Sequence, residues 1–166
     1  CWRVAFDKAA REPGRNLHDP SGLRFHRLPG HDLDLDTHST LFSGEQSNSS
    51  VAFGDDSLMK VFRKITPGVN PDIRVHEVLT RCQNEHVASL YGWLDWVDGD
   101  PSSDTGEGTG TTMQLAMLQQ FLRTASDGWD LALASARNLF AEGDLHAYEA
   151  GGDFASESER LGVALR

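Results

Sequence analysis

Short apolar runs separated by turns dominate the first two thirds of the chain and predict antiparallel strands. Gly44 and Gly54 interrupt the best-defined runs, as expected for tight turns between paired strands. Alternating apolar and acidic residues at 33–36 are typical of a half-exposed edge strand, and residues 2–6 and 23–28 are also strand-like. The five clearest strands are predicted at 39–42, 50–53, 58–62, 87–96 and 112–122.

Three helices are predicted between and after these strands. The first begins at 70–72, because asparagine caps a helix, proline suits its first turn and aspartate complements its dipole. It runs to about Cys82. A second helix opens at Ser126, and a third is predicted over 157–166. The expected apolar faces are Val75, Val78, Leu79 and Cys82 on the first helix, and Trp129, Leu133, Ala136 and Phe140 on the second. This order of elements predicts an α+β fold with a mostly antiparallel sheet.

Composition and charge narrow the classes of function. The chain has 166 residues, 15 of them basic and 25 acidic, for a net charge of −10. It has no basic stripe of the kind that nucleic-acid binding needs. No apolar run approaches the roughly 20 residues of a membrane span, so neither nucleic acid nor a membrane is expected as a partner. Two cysteines are too few for a disulfide framework, which favours a reducing, cytoplasmic setting.

A polar turn and one strand lysine carry the most informative chemistry. Residues 43–50 offer backbone N–H groups and hydroxyls between two predicted strands, an arrangement that binds anions. Lys60 follows in an apolar strand, where an ammonium needs a carboxylate or a phosphate. Glu77 lies on the next predicted helix. This pattern is the ATP-phosphate arrangement of kinase-like small lobes. The alternative is that Lys60 extends from a sheet edge and Glu77 is merely exposed.

The last predicted strand ends in the segment 117–122. In a kinase-like lobe this strand leads into the hinge, whose backbone hydrogen-bonds adenine. Backbone groups of Gln120 and Leu122 would contact the adenine edge, while the apolar side chains of the segment would pack on the base. A plain core strand fits the same segment equally well.

Several strings of the sequence carry a family resemblance. They are LFSGEQSNSS at 41–50, LMKVFRK at 58–64, PGVNPD at 67–72, HV at 86–87, LYGWL at 90–94, QQFL at 119–122 and ASDGWDLALA at 125–134. These strings resemble the maltokinase family of aminoglycoside-phosphotransferase-like kinases, in order and over roughly residues 30–166. The resemblance implies phosphorylation of maltose to maltose 1-phosphate by ATP and Mg²⁺, for α-glucan (glycogen) synthesis.

The resemblance also implies a domain organisation. Residues 1–38 would end a cap subdomain, residues 39–122 would form the ATP-binding sheet and helix of a protein-kinase-like amino-terminal lobe, and residues 123–166 would begin a truncated helical lobe. The chain begins at Cys1 and ends in a helix-like stretch, so we expect a fragment of a longer protein. The catalytic aspartate, the Mg²⁺ ligands and the maltose-binding residues would then lie outside it, and the chain alone would be inactive. A trehalose synthase domain is a possible fused or associated partner.

By position, the resemblance implies a set of ATP-binding residues. Lys60 would hold the phosphates. In the family an acidic residue usually follows Asn-Pro-Asp-x, where this chain has Arg74, so Glu77 would have to substitute if that acidic residue is the partner of the lysine. The turn over the phosphates would be Gln46, Ser47, Asn48 and Ser49, and the hinge Gln119, Gln120, Phe121 and Leu122. A related glucosamine kinase and a non-catalytic kinase-like binding module are the alternatives.

Overall fold

The computed structural model describes residues 2–11, 22–42, 48–97, 111–123, 128–141, 143, 146, 149 and 154–164. The chain divides into two units, Cys1–Phe121 and Leu122–Arg166. The described residues form an α+β structure with one six-stranded antiparallel sheet, as the sequence pattern predicts. None of the described helices is both long enough and apolar enough to cross a membrane.

Four strands follow the first helix, two strands follow the second helix, and two helices end the described chain. They are α1 Trp2–Arg11, β1 Leu23–Arg27, β2 Ser39–Phe42, β3 Asn48–Phe53, β4 Ser57–Phe62, α2 Pro71–Arg81, β5 Leu90–Val97, β6 Thr112–Gln120, α3 Gly128–Ala141 and α4 Phe154–Ala164. The sheet order is β1-β5-β6-β4-β3-β2. Strands β2, β3 and β4 pair consecutively, and α2 connects β4 to β5. This topology is compatible with a small kinase-like lobe.

Helix α1 packs on one face of the sheet and builds the larger core. Phe6 meets Phe25 of β1 edge to face, with ring centroids 5.1 Å apart. Such a pair adds about 0.5–1.5 kcal/mol beyond its buried area. Gly92 of β5 leaves room for the Phe6 ring, because a Cβ at this position would lie 3.2 Å from two of its ring carbons. The same Cβ would also collide with the His26 carbonyl oxygen. The other buried members of the cluster are Leu33, Phe53, Met59, Tyr91, Leu94, Ala116 and Leu118.

Helix α2 packs on the opposite face, where Ile73 joins a second core cluster of Leu28, Phe62, Leu90 and Met117. Its predicted start is confirmed, since Asn70 Oδ1 accepts a hydrogen bond from the Asp72 N–H at 2.9 Å. Its predicted buried side is wrong. Val75 and Val78 are 54% and 42% exposed, and Cys82 is exposed.

Polar partners explain the orientation of α2. Ile73 and Thr80 lie on the side of the helix that faces the sheet, and the Leu90 N–H donates to Thr80 Oγ1 at 2.7 Å. A helix side that carries threonine can therefore be covered by the sheet, because its hydroxyl is satisfied there. The two valines that the apolar pattern assigned to the core lie on the other side.

Two further strand predictions are wrong. Residues 2–6 belong to α1, where Ala5, Phe6 and Ala9 contact the core at helical spacing. Residues 33–36 form no strand, and Leu33 packs into the core from a loop. The strands predicted from 39 onward are confirmed as β2 to β6 with small shifts at their ends.

The second unit contains α3 and α4. The expected start of α3 at Ser126 lies outside the described residues, while α4 begins at Phe154, earlier than predicted. Neither helix has a buried residue. The predicted apolar face of α3 is not covered within the described part of this unit, since Trp129 and Phe140 are 71% and 87% exposed.

Candidate functional site

Lys60 lies in the interior of the sheet. Its strand, β4, is flanked by β3 and β6, and Lys60 stands opposite Ser50 on one side and Met117 on the other. Directly opposite residues share a face, so Lys60 lies on the face that carries α2. The predicted alternative, a lysine at a sheet edge, is therefore wrong.

Among the described residues, the neighbours of Lys60 on this face leave its ammonium unpaired. The register continues from Ser50 to Phe42 and from Met117 to Trp93, so a row of uncharged side chains crosses the sheet on either side of Lys60. No ion pair joins Lys60 to any described residue, and its side chain is half-buried. A half-buried cation without a partner favours an anion from outside these residues.

Glu77 does not supply that anion. Its carboxylate binds Arg74 Nη1 at 3.3 Å and Arg81 Nη2 at 2.8 Å, and the predicted ion pair with Lys60 is not formed. Arginines three residues before and four after a glutamate reach it along the same helix surface. Glu77 is nevertheless not merely exposed, because only 16% of its side chain is accessible.

The structure brings part of the predicted phosphate turn to Lys60. Gln46 and Ser47 lie outside the described residues. Asn48 opens β3 and, by alternation, shares the face of Ser50 and Lys60. Ser49 lies on the opposite face of the strand. Sequence reasoning missed Ser50 as a site residue, although the two-residue period of β3 marks it as the neighbour of Lys60.

The predicted hinge segment begins in the same face of the sheet. Gln119 is buried between Leu58 and Leu90, and its Oε1 has no hydrogen-bond partner among the described residues. The Gln120 N–H donates to the Ser89 carbonyl at 2.8 Å, and the Phe121 N–H donates to the Asp56 carbonyl at 3.2 Å. These two amides are therefore not available to a ligand.

An aromatic pair lies at this end of the candidate site. The rings of Phe42 and Phe121 meet edge to face with centroids 5.8 Å apart, and Phe42 is exposed. Aromatic side chains of this kind can pack on a planar ligand. Leu122 is exposed and is the first residue of the second unit, so it is described separately from these residues.

The described residues thus place an unpaired ammonium, an unpartnered amide oxygen and an aromatic pair in one region of the first unit. The ammonium can bind an anion and the aromatic pair a flat apolar surface, whereas the amide oxygen of Gln119 is buried. Within the described ranges, no group of three or more histidine, cysteine, aspartate or glutamate side chains could hold a metal ion. No protein-family model matches the chain.

Proposed function

We propose that this chain is the nucleotide-binding lobe of an ATP-dependent sugar kinase, in which Lys60 binds the phosphates of ATP. The observation that carries this proposal is the position of Lys60, half-buried between Ser50 and Met117 on the face that carries α2 and without an ion-pair partner among the described residues. The negative charges of a triphosphate can balance the positive charge of this ammonium.

The surroundings of Lys60 support a nucleotide in particular. Phe42 and Asn48 flank the turn predicted from the sequence at 43–47, and both lie on the face of Lys60. Phosphates bound by that turn would therefore also reach the lysine. The Phe42–Phe121 pair can pack on the base, and Phe42 is exposed.

The phosphoryl acceptor in this proposal is maltose, because the sequence motifs resemble those of maltokinases. The product is then maltose 1-phosphate, and the Mg²⁺ ligands and the catalytic aspartate come from residues beyond this chain. A related kinase that phosphorylates glucosamine shares the same lobe chemistry.

A second candidate is a non-catalytic kinase-like binding module, and one observation favours it. Glu77 is held by Arg74 and Arg81, so the lysine–glutamate ion pair that active protein kinases use is not formed. A module of this kind would bind the nucleotide without transferring its phosphate.

Nucleotide binding to the chain tests the proposal, with isothermal titration of ATP and of adenosine. We expect Lys60→Ala to weaken ATP binding about tenfold or more, because hydrogen bonds to charged groups contribute about 1.5–3 kcal/mol. Adenosine, which has no phosphate, should bind the variant as it binds the unchanged chain. Lys64→Ala is the matched control, since Lys64 is exposed just after β4. Equal ATP affinity in both variants would contradict the phosphate role of Lys60.

Phosphorylation assays on the intact protein separate the two candidates. A kinase transfers phosphate from ATP to maltose or to glucosamine, and Lys60→Ala lowers kcat/KM for this reaction. A binding module binds ATP, loses affinity for it in Lys60→Ala, and phosphorylates neither sugar.

A further inference from the structure

A second cavity of about 530 Å³ lies where β6 ends. Gln120 of the predicted hinge lines it, whereas Lys60, Phe42 and Gln119 do not. Three segments enclose it: residues 29–31 after β1, residues 80–85 at the end of α2, and the start of β5. Its volume is within the range of small-molecule sites.

The polar lining of this cavity consists of amides, hydroxyls and one carboxylate. The side chains concerned are Thr80, Gln83, Asn84, Glu85, Ser89 and Gln120. Amides and hydroxyls both donate and accept hydrogen bonds. No lysine or arginine is among the described lining residues, so the cavity is not built for phosphate or carboxylate ligands. Such a lining suits a neutral ligand with many hydroxyl groups.

Two of the lining amides are fixed in orientation. Asn84 Oδ1 accepts from the His86 N–H at 2.8 Å, and Gln120 Oε1 accepts from the Ser89 N–H at 3.4 Å. Because the oxygens face the backbone, the NH₂ groups of both side chains are left as donors. Preset donors of this kind lower the cost of ordering a polar site around its ligand.

The imidazole of His31 forms a flat wall. It stacks on Tyr91 with centroids 3.9 Å apart and planes 8° apart, and both residues line the cavity. His31 Nε2 lies 2.7 Å from Asp56 Oδ1. With Nε2–H donated to this carboxylate, Nδ1 is the acceptor. Aromatic walls combined with a few placed polar groups are typical of sites for small organic ligands.

Gln83 lines the cavity immediately after the end of α2. It has φ of +55°, at the left-handed position that follows α2 and that glycine usually occupies. A side chain there costs about 1 kcal/mol relative to glycine.

We propose that this cavity binds a neutral carbohydrate, a mono- or disaccharide in size. The hydroxyl groups of the sugar bind the amides and Glu85, and an apolar face of the ring packs on His31. This proposal does not depend on nucleotide binding at Lys60.

The test is a titration of the ¹⁵N-labelled chain with glucose, maltose and cellobiose, followed by nuclear magnetic resonance, with inorganic phosphate as the anionic probe. We expect saturable shifts of the Gln83, Glu85 and Ser89 amides with at least one sugar and none with phosphate. Gln83→Gly and Glu85→Ala should each weaken sugar binding about fivefold or more, as expected for one lost hydrogen bond. Gln83→Gly relieves backbone strain, so its loss of binding cannot come from unfolding.

Glu159→Ala is the matched control for Glu85, because Glu159 is exposed on α4 and does not line the cavity. Lys60→Ala should keep the sugar shifts while it loses ATP binding, so the two proposals fail independently. The carbohydrate proposal is overturned if no sugar gives saturable shifts at these amides, if phosphate gives them instead, or if the Gln83 and Glu85 variants bind as the unchanged chain does.

Discussion

Arg81 holds the carboxylate of Glu77, with Nη2 of the arginine 2.8 Å from Oε1 of the glutamate. Arg74 approaches the second oxygen at 3.3 Å. The two arginines are largely exposed, whereas Glu77 is mostly covered. Glu77 is therefore a residue paired within its own helix, and the ammonium of Lys60 has to be balanced in another way.

Glu77→Gln should consequently leave ATP affinity within about twofold of the unchanged chain. Ion pairs between residues three or four apart along a helix contribute about 0.3–0.5 kcal/mol each, so the variant should lose about 0.5–1 kcal/mol of stability. Isothermal titration and urea unfolding measure the two effects. If Glu77→Gln weakened ATP binding as much as Lys60→Ala, Glu77 would act together with the lysine after all.

The sequence predicted where α2 begins but not which side of it is buried. The start depends on Asn70 and Pro71, whose effects are local and hold in any context. The buried side depends on what covers the helix. Thr80 can face the sheet because its hydroxyl accepts a hydrogen bond from the Leu90 N–H, ten residues later. An apolar pattern within the helix contains no information about that partner.

The end of α2 offers a stability prediction at Gln83. The Gln83 N–H donates to the Thr80 carbonyl and the Asn84 N–H to the Leu79 carbonyl, both at 3.0 Å, which forms a Schellman motif. Gln83 occupies its left-handed position, with φ of +55°. Gln83→Gly should therefore raise the free energy of unfolding by about 0.5–1 kcal/mol.

Gln83→Ala is the control for this change. Alanine also lacks the amide but keeps a Cβ in the left-handed conformation, so its stability should stay near that of the unchanged chain. Urea unfolding of the three proteins provides the comparison. Equal stabilisation by alanine and glycine would show that the backbone at this position is not strained.

The candidate site was only partly predictable for a similar reason. Lys60 was identifiable because a lysine within an apolar strand is unusual, and its local sequence shows this. Ser50 became a site residue only through the pairing of β3 with β4, which places it directly opposite Lys60. The pairing register depends on the whole sheet, whereas the apolar runs fix only the strands.

Gly92 shows how closely the sheet and α1 are packed. A Cβ at this position would collide with the His26 carbonyl oxygen and would lie 3.2 Å from two ring carbons of Phe6. Gly92→Ala should lower the free energy of unfolding by about 2 kcal/mol or more, because the β1–β5 pairing has to shift. Gly162→Ala makes the same chemical change on α4. There the added Cβ would have no described atom within 4 Å outside its chain neighbours and the backbone of its own helix. This substitution should be neutral or stabilising, and urea unfolding distinguishes the two variants.

Tyr91 should make stability depend on alkaline pH. Burial raises the pKa of its phenol above 10, the nearby Asp56 carboxylate raises it further, and Arg27 opposes both. The unfolded chain then releases the Tyr91 proton at a lower pH than the folded chain does. The contribution of Tyr91 to the free energy of unfolding is therefore fully present below about pH 10, and it declines as the pH rises through the pKa of the folded state. Tyr91→Phe should remove this decline.

The measurement is urea unfolding of the unchanged chain and Tyr91→Phe at several pH values from about 8 to 11. The difference in unfolding free energy between the two proteins should be constant below about pH 9, because neither state of Tyr91 ionises there. Above about pH 10 the difference should move in favour of the phenylalanine variant, which cannot ionise. A difference that stays constant to the highest pH would mean that Tyr91 has the same pKa in both states. Its phenol would then be as well hydrated in the fold as in the unfolded chain, contrary to its burial against His31 and the α1 core.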